Sequence, residues 1–183
     1  MVRKQTDQTK WSTLHKNNPL QSLVATLLAI TIVQFCWSIS VQAQEQYITG
    51  IASVIDADTL IIHGNRIRLH GIDAPEASQT CQHNGKHWRC GQKAALALSD
   101  RLNNRTITCI ANGEDRYKRI VTECSQGNTN INAWLVEKGW ALDWPKYSKG
   151  AYATQQKAAK ASRLGIWDST FELPLEWRSR KKK

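Results

Sequence analysis

The sequence predicts an α+β domain, mainly β, in which five short strands close into a small OB-type barrel carrying three helices. Three observations predict it. Residues 47–69 place apolar side chains at strand-like spacing between turn formers. Two more strand-like runs, 106–110 and 119–123, lie close enough to pair. Helical periodicity is confined to the segment before those runs and to the C-terminal third. Five antiparallel strands in so short a stretch fit a closed barrel better than an open sheet.

The elements follow in order. Ile48, Ile51, Val54 and Ile55 precede Asp56; Leu60, Ile61 and Ile62 follow it; Gly64-Asn65 reads as a reverse turn. Residues 66–70 (Arg-Ile-Arg-Leu-His) alternate strictly, so Ile67 and Leu69 face the core while Arg66, Arg68 and His70 share the other face. Arg68 is thereby expected at a rim or cleft. Pro75 ends the strand in a loop. Residues 92–102 read as a helix, with Ala94, Leu98 and Leu102 at i, i+4, i+8. The strands 106–110 and 119–123 are joined through Asn112-Gly113-Glu114-Asp115. A second helix starts at Asn130 as N-cap and passes through Trp134 and Val136 to stop at Gly139. A third starts near Ser148, carries Ala151, Ala158 and Ala161, and stops at Gly165. Trp134 and Trp167 are expected in the core. Trp140 and Trp144 are expected to pack in the core or at the cleft rim, the alternative being stacking on bases.

The first 43 residues differ from the rest. Arg3, Lys4, Lys10 and Lys16 face one acid, Asp7, ahead of an apolar run that ends in the small-residue pattern Val41-Gln42-Ala43. This reads as an export signal cut after Ala43; the alternative is an anchor holding the chain to a membrane through residues 23–39. Residues 44–172 form the expected domain, and residues 173–183 a basic tail. Of the chain's formal charge of +10, much lies at its ends. Arg178, Arg180, Lys181, Lys182 and Lys183 fill the tail, which reads either as a solvated end or as a generic attractor of polyanions. The expected location is secreted or periplasmic, or else membrane-anchored outside the cytoplasm. Nothing signals an oligomer or a protein partner, so a monomer is expected.

Cys36 would leave with the leader. The four remaining cysteines suit two disulfides in an oxidising compartment. A hairpin joining the strands that carry Cys109 and Cys124 would set those two opposite each other, and Cys81 and Cys90 flank a polar loop. The expected pairing is Cys81–Cys90 and Cys109–Cys124. The rival for the loop is a zinc site from Cys81, His83, His87 and Cys90.

The chemistry lies in three fragments: Asp56-Ala57-Asp58-Thr59, Arg68-Leu69-His70-Gly71-Ile72-Asp73-Ala74-Pro75-Glu76, and Asp115-Arg116-Tyr117-Lys118-Arg119. Carboxylates from adjacent strand ends can hold a hard cation. Two arginine forks can grip phosphate and offset charge on a five-coordinate phosphorus. Glu76 can accept a proton from water or orient it. Alone, each fragment reads as a capped turn, a surface ion pair or a loop acid; their order and spacing together indicate a metal-assisted phosphodiesterase.

These fragments, with Ile131-Asn132-Ala133, Leu135-Val136, Gly139, Ala141 and Gly165-Ile166-Trp167, resemble the staphylococcal nuclease (thermonuclease) family over residues 47–168. The resemblance implies an OB-type barrel with three helices and calcium-dependent cleavage of DNA and RNA with little sequence preference. It implies a calcium ion (Ca2+) held by Asp58, Asp73 and the backbone carbonyl of Ala74, with Asp56 assisting. It makes Arg68 and Arg119 the phosphate-gripping arginines, Glu76 the general base, and Tyr117 and Tyr147 the lining of the nucleotide pocket. Ala57 and Lys118 stand where the family has glycine, and the cysteines and residues 78–89 are additions to the namesake. Lys118 would disturb its loop if a positive φ is required there. A non-catalytic nucleic-acid-binding module on the same barrel is the alternative function.

Overall fold

The computed structural model describes residues 45–181; the expected signal or anchor falls outside them. The chain forms β1 (Tyr47–Gly50), β2 (Ser53–Asp56), β3 (Thr59–Ile62), β4 (Asn65–Leu69) and β5 (Ile72–Asp73). A small hairpin of β6 (Cys81–His83) and β7 (Lys86–Trp88) precedes α1 (Cys90–Leu102). Then come β8 (Ile107–Glu114), β9 (Ile120–Gln126), β10 (Thr129–Asn130), α2 (Ile131–Glu137), β11 (Leu142–Asp143), α3 (Pro145–Ser148) and α4 (Ala153–Ala161). A 3-10 turn (Gly165–Asp168) and α5 (Pro174–Arg180) complete the described chain.

The main sheet runs β1-β8-β9-β4-β3-β2, with β10 on β9 and the β4–β9 pair parallel. Its two edges, β1 and β2, are consecutive pieces of chain separated only by Ile51 and Ala52. Counted as one bent strand they leave five, curled as an OB-like barrel requires. Gly50 permits the bend: a Cβ there would stand 2.5 Å from His63 Nε2 and 2.8 Å from Ile62 Cγ2, at the far end of β3.

The alternation in β4 holds. Ile67 and Leu69 are buried, whereas Arg66 is exposed and Arg68 half-buried. They meet Leu60, Ile62 and Ile107 from the sheet and Ala94, Leu98 and Leu102 from α1 in one core. Each such buried aliphatic side chain contributes roughly 1.5–3 kcal/mol. α2 begins where expected: the Asn130 side chain accepts from the Ala133 amide at 2.9 Å. Trp134 and Trp140 pack partly buried against this core, and Trp167 against a smaller one around Cys81, Cys90 and Ile166.

The structure differs from expectation in several places. The β3–β4 turn is His63-Gly64, one residue earlier, with both residues at positive φ and Ile62 paired with Asn65. That is the left-handed two-residue turn whose twist suits a hairpin. The loop around residues 81–90 is itself a hairpin, turning at Asn84-Gly85. The third helix starts at Ala153 rather than near Ser148 and stops at Ala161. The Ser148 hydroxyl donates to Asp143 at 2.5 Å and accepts from the Gly150 amide at 3.0 Å, while Lys149 and Gly150 turn left-handed. Downstream, Ala159 is buried and Ala158 exposed. The basic tail, expected as a solvated end or a generic attractor, is helical over Pro174–Arg180.

Cys109 sits directly across from Cys124, with Cα atoms 4.0 Å apart, and the two are joined; Cys81 is joined to Cys90 across 5.6 Å. With both sulfurs of the loop bonded to each other, the zinc arrangement with His83 and His87 does not form. His83 lies instead against Asp168, with Nδ1 3.3 Å from its carboxylate. Among the described residues, no helix is long and apolar enough to cross a membrane.

Candidate active site

Two short turns and one strand end build the site. β2 ends at Asp56 and the chain turns through Ala57 and Asp58 into β3. Both acids reach across to the loop after β5. Asp56 Oδ1 accepts from the Ala77 amide and Asp58 Oδ2 from the Ala74 amide, each at 2.8 Å. Asp58 Oδ1 also accepts from Thr59 Oγ1 at 3.1 Å. Asp73, on β5, is held from the other side by β11, where it pairs with Leu142.

Arg68 joins the two buried aspartates. One nitrogen pairs with Asp58 Oδ1; the other lies 3.3 Å from Asp73 Oδ1 and donates to the Ile72 carbonyl at 3.1 Å. Asp58 is only 3% exposed and Asp73 6%. Burial pushes the Asp73 carboxyl up, and Asp58 adds to this, against the pull of Arg178 and Arg68; the net direction is upward. Asp56 is also raised, first by burial and then by the Glu76 and Asp58 charges, which outweigh the Ala77 hydrogen bond. For both acids the leading cause is burial, which disfavours the charged form.

Glu76 is half-buried on the loop beyond Pro75. Its amide donates to Gln79 Oε1 at 3.3 Å and its carbonyl accepts from the Gln79 amide at 2.7 Å. Gln79 is fully buried. The loop rests on the first turn of α1, where Gly91 leaves space: a Cβ there would stand 1.7 Å from the Glu76 carbonyl oxygen.

Arg119 belongs to a second cluster. Its Nε and Nη2 lie 2.8 and 2.7 Å from Asp115 Oδ2, and its guanidinium lies 5.5 Å from the centre of the Tyr117 ring. Burial pushes the Asp115 carboxyl up, but hydrogen bonds from the Arg119 side chain and amide and from the Tyr117 amide outweigh it and hold it below the ordinary range. Arg119 immediately precedes β9, whose Val121 pairs with Arg68 in the parallel register. Lys118 takes φ +63°, the conformation that glycine adopts without strain. Tyr147 is exposed on α3, edge-on to Trp144 at 4.7 Å; the Trp144 amide bonds to the Gly71 carbonyl at 2.9 Å, fastening that rim beside β5.

The structure therefore brings Asp56, Asp58, Arg68, Asp73, Ala74 and Glu76 together, and keeps Arg119 with Asp115 and Tyr117. Three further residues were not singled out from sequence. Gln79 and Gly91 shape the Glu76 loop. Arg178, from α5, donates to Asp73 Oδ1 at 2.8 Å and Glu76 Oε1 at 2.9 Å. Only a count of tail arginines hinted at the last.

The donors suit a hard divalent cation. Asp58 and Asp73 converge on one arginine fork. Among the described residues, no three His, Cys, Asp or Glu side chains close around one point. Two aspartates would therefore complete a shell with backbone carbonyl and water oxygens, as calcium tolerates.

A family model described as staphylococcal nuclease homologue matches residues 66–169. The succinoglycan biosynthesis protein ExoI of Rhizobium meliloti is 43% identical over 123 residues, which are 66% of this chain and 64% of that protein. An uncharacterized endonuclease of Haemophilus influenzae is 30% identical over 167 residues, covering 87% of this chain and 85% of its own length. A micrococcal nuclease of Shigella flexneri is 28% identical over 176 residues, covering 87% of this chain and 93% of its own length.

Proposed function

Because this chain belongs to the staphylococcal nuclease family, we propose that it is a calcium-dependent, sugar-non-specific endonuclease that hydrolyses phosphodiester bonds in DNA and RNA. The observation that carries this reading is the pair of buried aspartates, Asp58 and Asp73, meeting on the Arg68 fork beside the Glu76 loop.

In this reading Asp58, Asp73 and the Ala74 carbonyl hold the ion, with Asp56 steadying the loop through the Ala77 amide. The bound ion supplies Lewis-acid neutralisation of phosphate charge. Glu76 takes a proton from the attacking water as the water oxygen bonds to phosphorus and the bond to the leaving oxygen breaks. Arg68 and Arg119 offset the charge that builds on the phosphoryl oxygens. Tyr117 and Tyr147 flank the nucleotide. The two disulfides support action outside the reducing cytoplasm, secreted or periplasmic.

Plasmid nicking by the purified chain tests it. Nicking is expected with calcium, absent with chelator, and reduced by about 10²- to 10⁴-fold in Glu76→Gln. Binding of DNA without cleavage across divalent metals would overturn the enzyme reading in favour of a binding module.

A further inference from the structure

We propose that α5 is a latch: Arg178 competes with the divalent cation for Asp73 and Glu76, so that docking of the C-terminal helix and calcium binding oppose each other. This rests on the calcium site proposed above.

One guanidinium spans two acids from the active site. Arg178 Nη2 lies 2.8 Å from Asp73 Oδ1 and Nη1 lies 2.9 Å from Glu76 Oε1. Both carboxylates have work in the reaction proposed above, Asp73 toward the ion and Glu76 toward water. An arginine offers only donors, so each lone pair it occupies is withdrawn from that work. A fixed positive charge in contact with Asp73 also disfavours a second cation on the same carboxylate.

The segment is built to dock and to release. Its base is tied down: Gln82 and Thr170 exchange backbone hydrogen bonds at 2.9 and 2.8 Å, and buried Gln79 donates to the Glu172 carbonyl at 2.7 Å. α5 itself is held more lightly. Besides Arg178, Lys181 donates to Ser78 Oγ at 2.9 Å, Pro174 is buried and Trp177 half-buried, while Leu175, Glu176, Ser179, Arg180 and Lys181 are all exposed. A seven-residue helix has little stability alone. Losing the Arg178 contacts would loosen the C-terminal part of α5 while the strap before it stays in place. Coupling of this kind is reciprocal: whatever factor α5 takes from calcium affinity, calcium takes from α5 docking.

Calcium titration calorimetry on the full chain tests the latch, comparing wild type, Arg178→Gln, Arg178→Lys and an Asp58→Asn control. Two partly exposed, charge-assisted contacts predict about tenfold tighter calcium binding in Arg178→Gln, with Arg178→Lys in between. In the wild type, amide hydrogen exchange over residues 174–180 is expected to accelerate when calcium is added. Asp58-dependent binding that is equal or weaker in Arg178→Gln, or exchange unmoved by calcium, would overturn the latch and leave the calcium site standing. No Asp58-dependent binding in either protein would overturn the calcium site and the latch with it.

Discussion

Gly91→Ala probes how the catalytic loop is held. A Cβ at this position would stand 1.7 Å from the Glu76 carbonyl oxygen, 2.5 Å from its carbon and 3.2 Å from Ala77 Cα. Ordinary contact begins near 3.4 Å, so the Glu76 backbone must retreat by about 1.7 Å or α1 must shift with its buried face. The obstacle is backbone, and no rotamer relieves it. The loop is also pinned by the Gln79 amide on the Glu76 carbonyl at 2.7 Å and the Gly91 amide on the Gln79 carbonyl at 3.2 Å. Overpacking of this kind costs roughly 1–3 kcal/mol. A misplacement on the order of 1 Å at a reacting group costs about 100-fold in rate. Urea unfolding and plasmid nicking at saturating calcium measure the two effects. The expected variant is folded, less stable by that margin, and slower by about two orders of magnitude. Calcium affinity should fall less than turnover, because Asp58 lies on the β2–β3 turn and Asp73 is held on β5 by its pairing with Leu142. Wild-type turnover and stability in Gly91→Ala would refute the close approach as the device that positions Glu76.

Two further outcomes follow from the β8–β9 loop. Lys118→Gly relieves a left-handed residue at a cost in chain entropy, and its exposed pair with Glu114 contributes little, so the urea midpoint should rise by about 0.5 kcal/mol equivalent; a lower midpoint would contradict this. Asp115 has a folded pKa below its unfolded value, so its contribution is present above the ordinary aspartate range and is lost as pH falls through the folded value. Wild type should therefore exceed Asp115→Asn by about 1 kcal/mol or less near neutrality, after allowance for solvent screening, and the two should converge in acid. A difference that does not change with pH would count against the pairing with Arg119.

Much of the barrel was legible because its signals are local. Period two in residues 66–70 assigns Ile67 and Leu69 to the core, and no other feature is needed to turn Arg68 outward. Asn130 announces its helix because the capping contact spans only three residues. The Asn84-Gly85 turn was equally local, yet a loop was expected there because the flanking residues, Gln82, His83, Lys86 and His87, are polar and exposed. The third helix starts late for a reason that its own periodicity does not carry: the Ser148 hydroxyl is taken by Asp143 and by the Gly150 amide.

The sequence by itself determined which faces are apolar, which cysteines stand opposite each other, and which acids and arginines recur at the spacing of a phosphodiesterase. Each of these depends on neighbours along the chain or on one hairpin register. Only the tertiary structure decided that Gly91 cradles Glu76 and that Arg178 reaches Asp73 and Glu76 from more than a hundred residues away. A guanidinium has no sequence preference among carboxylates. Its partner is whichever acid the path of the backbone brings within hydrogen-bond reach, and that path is set by the packing of the whole core.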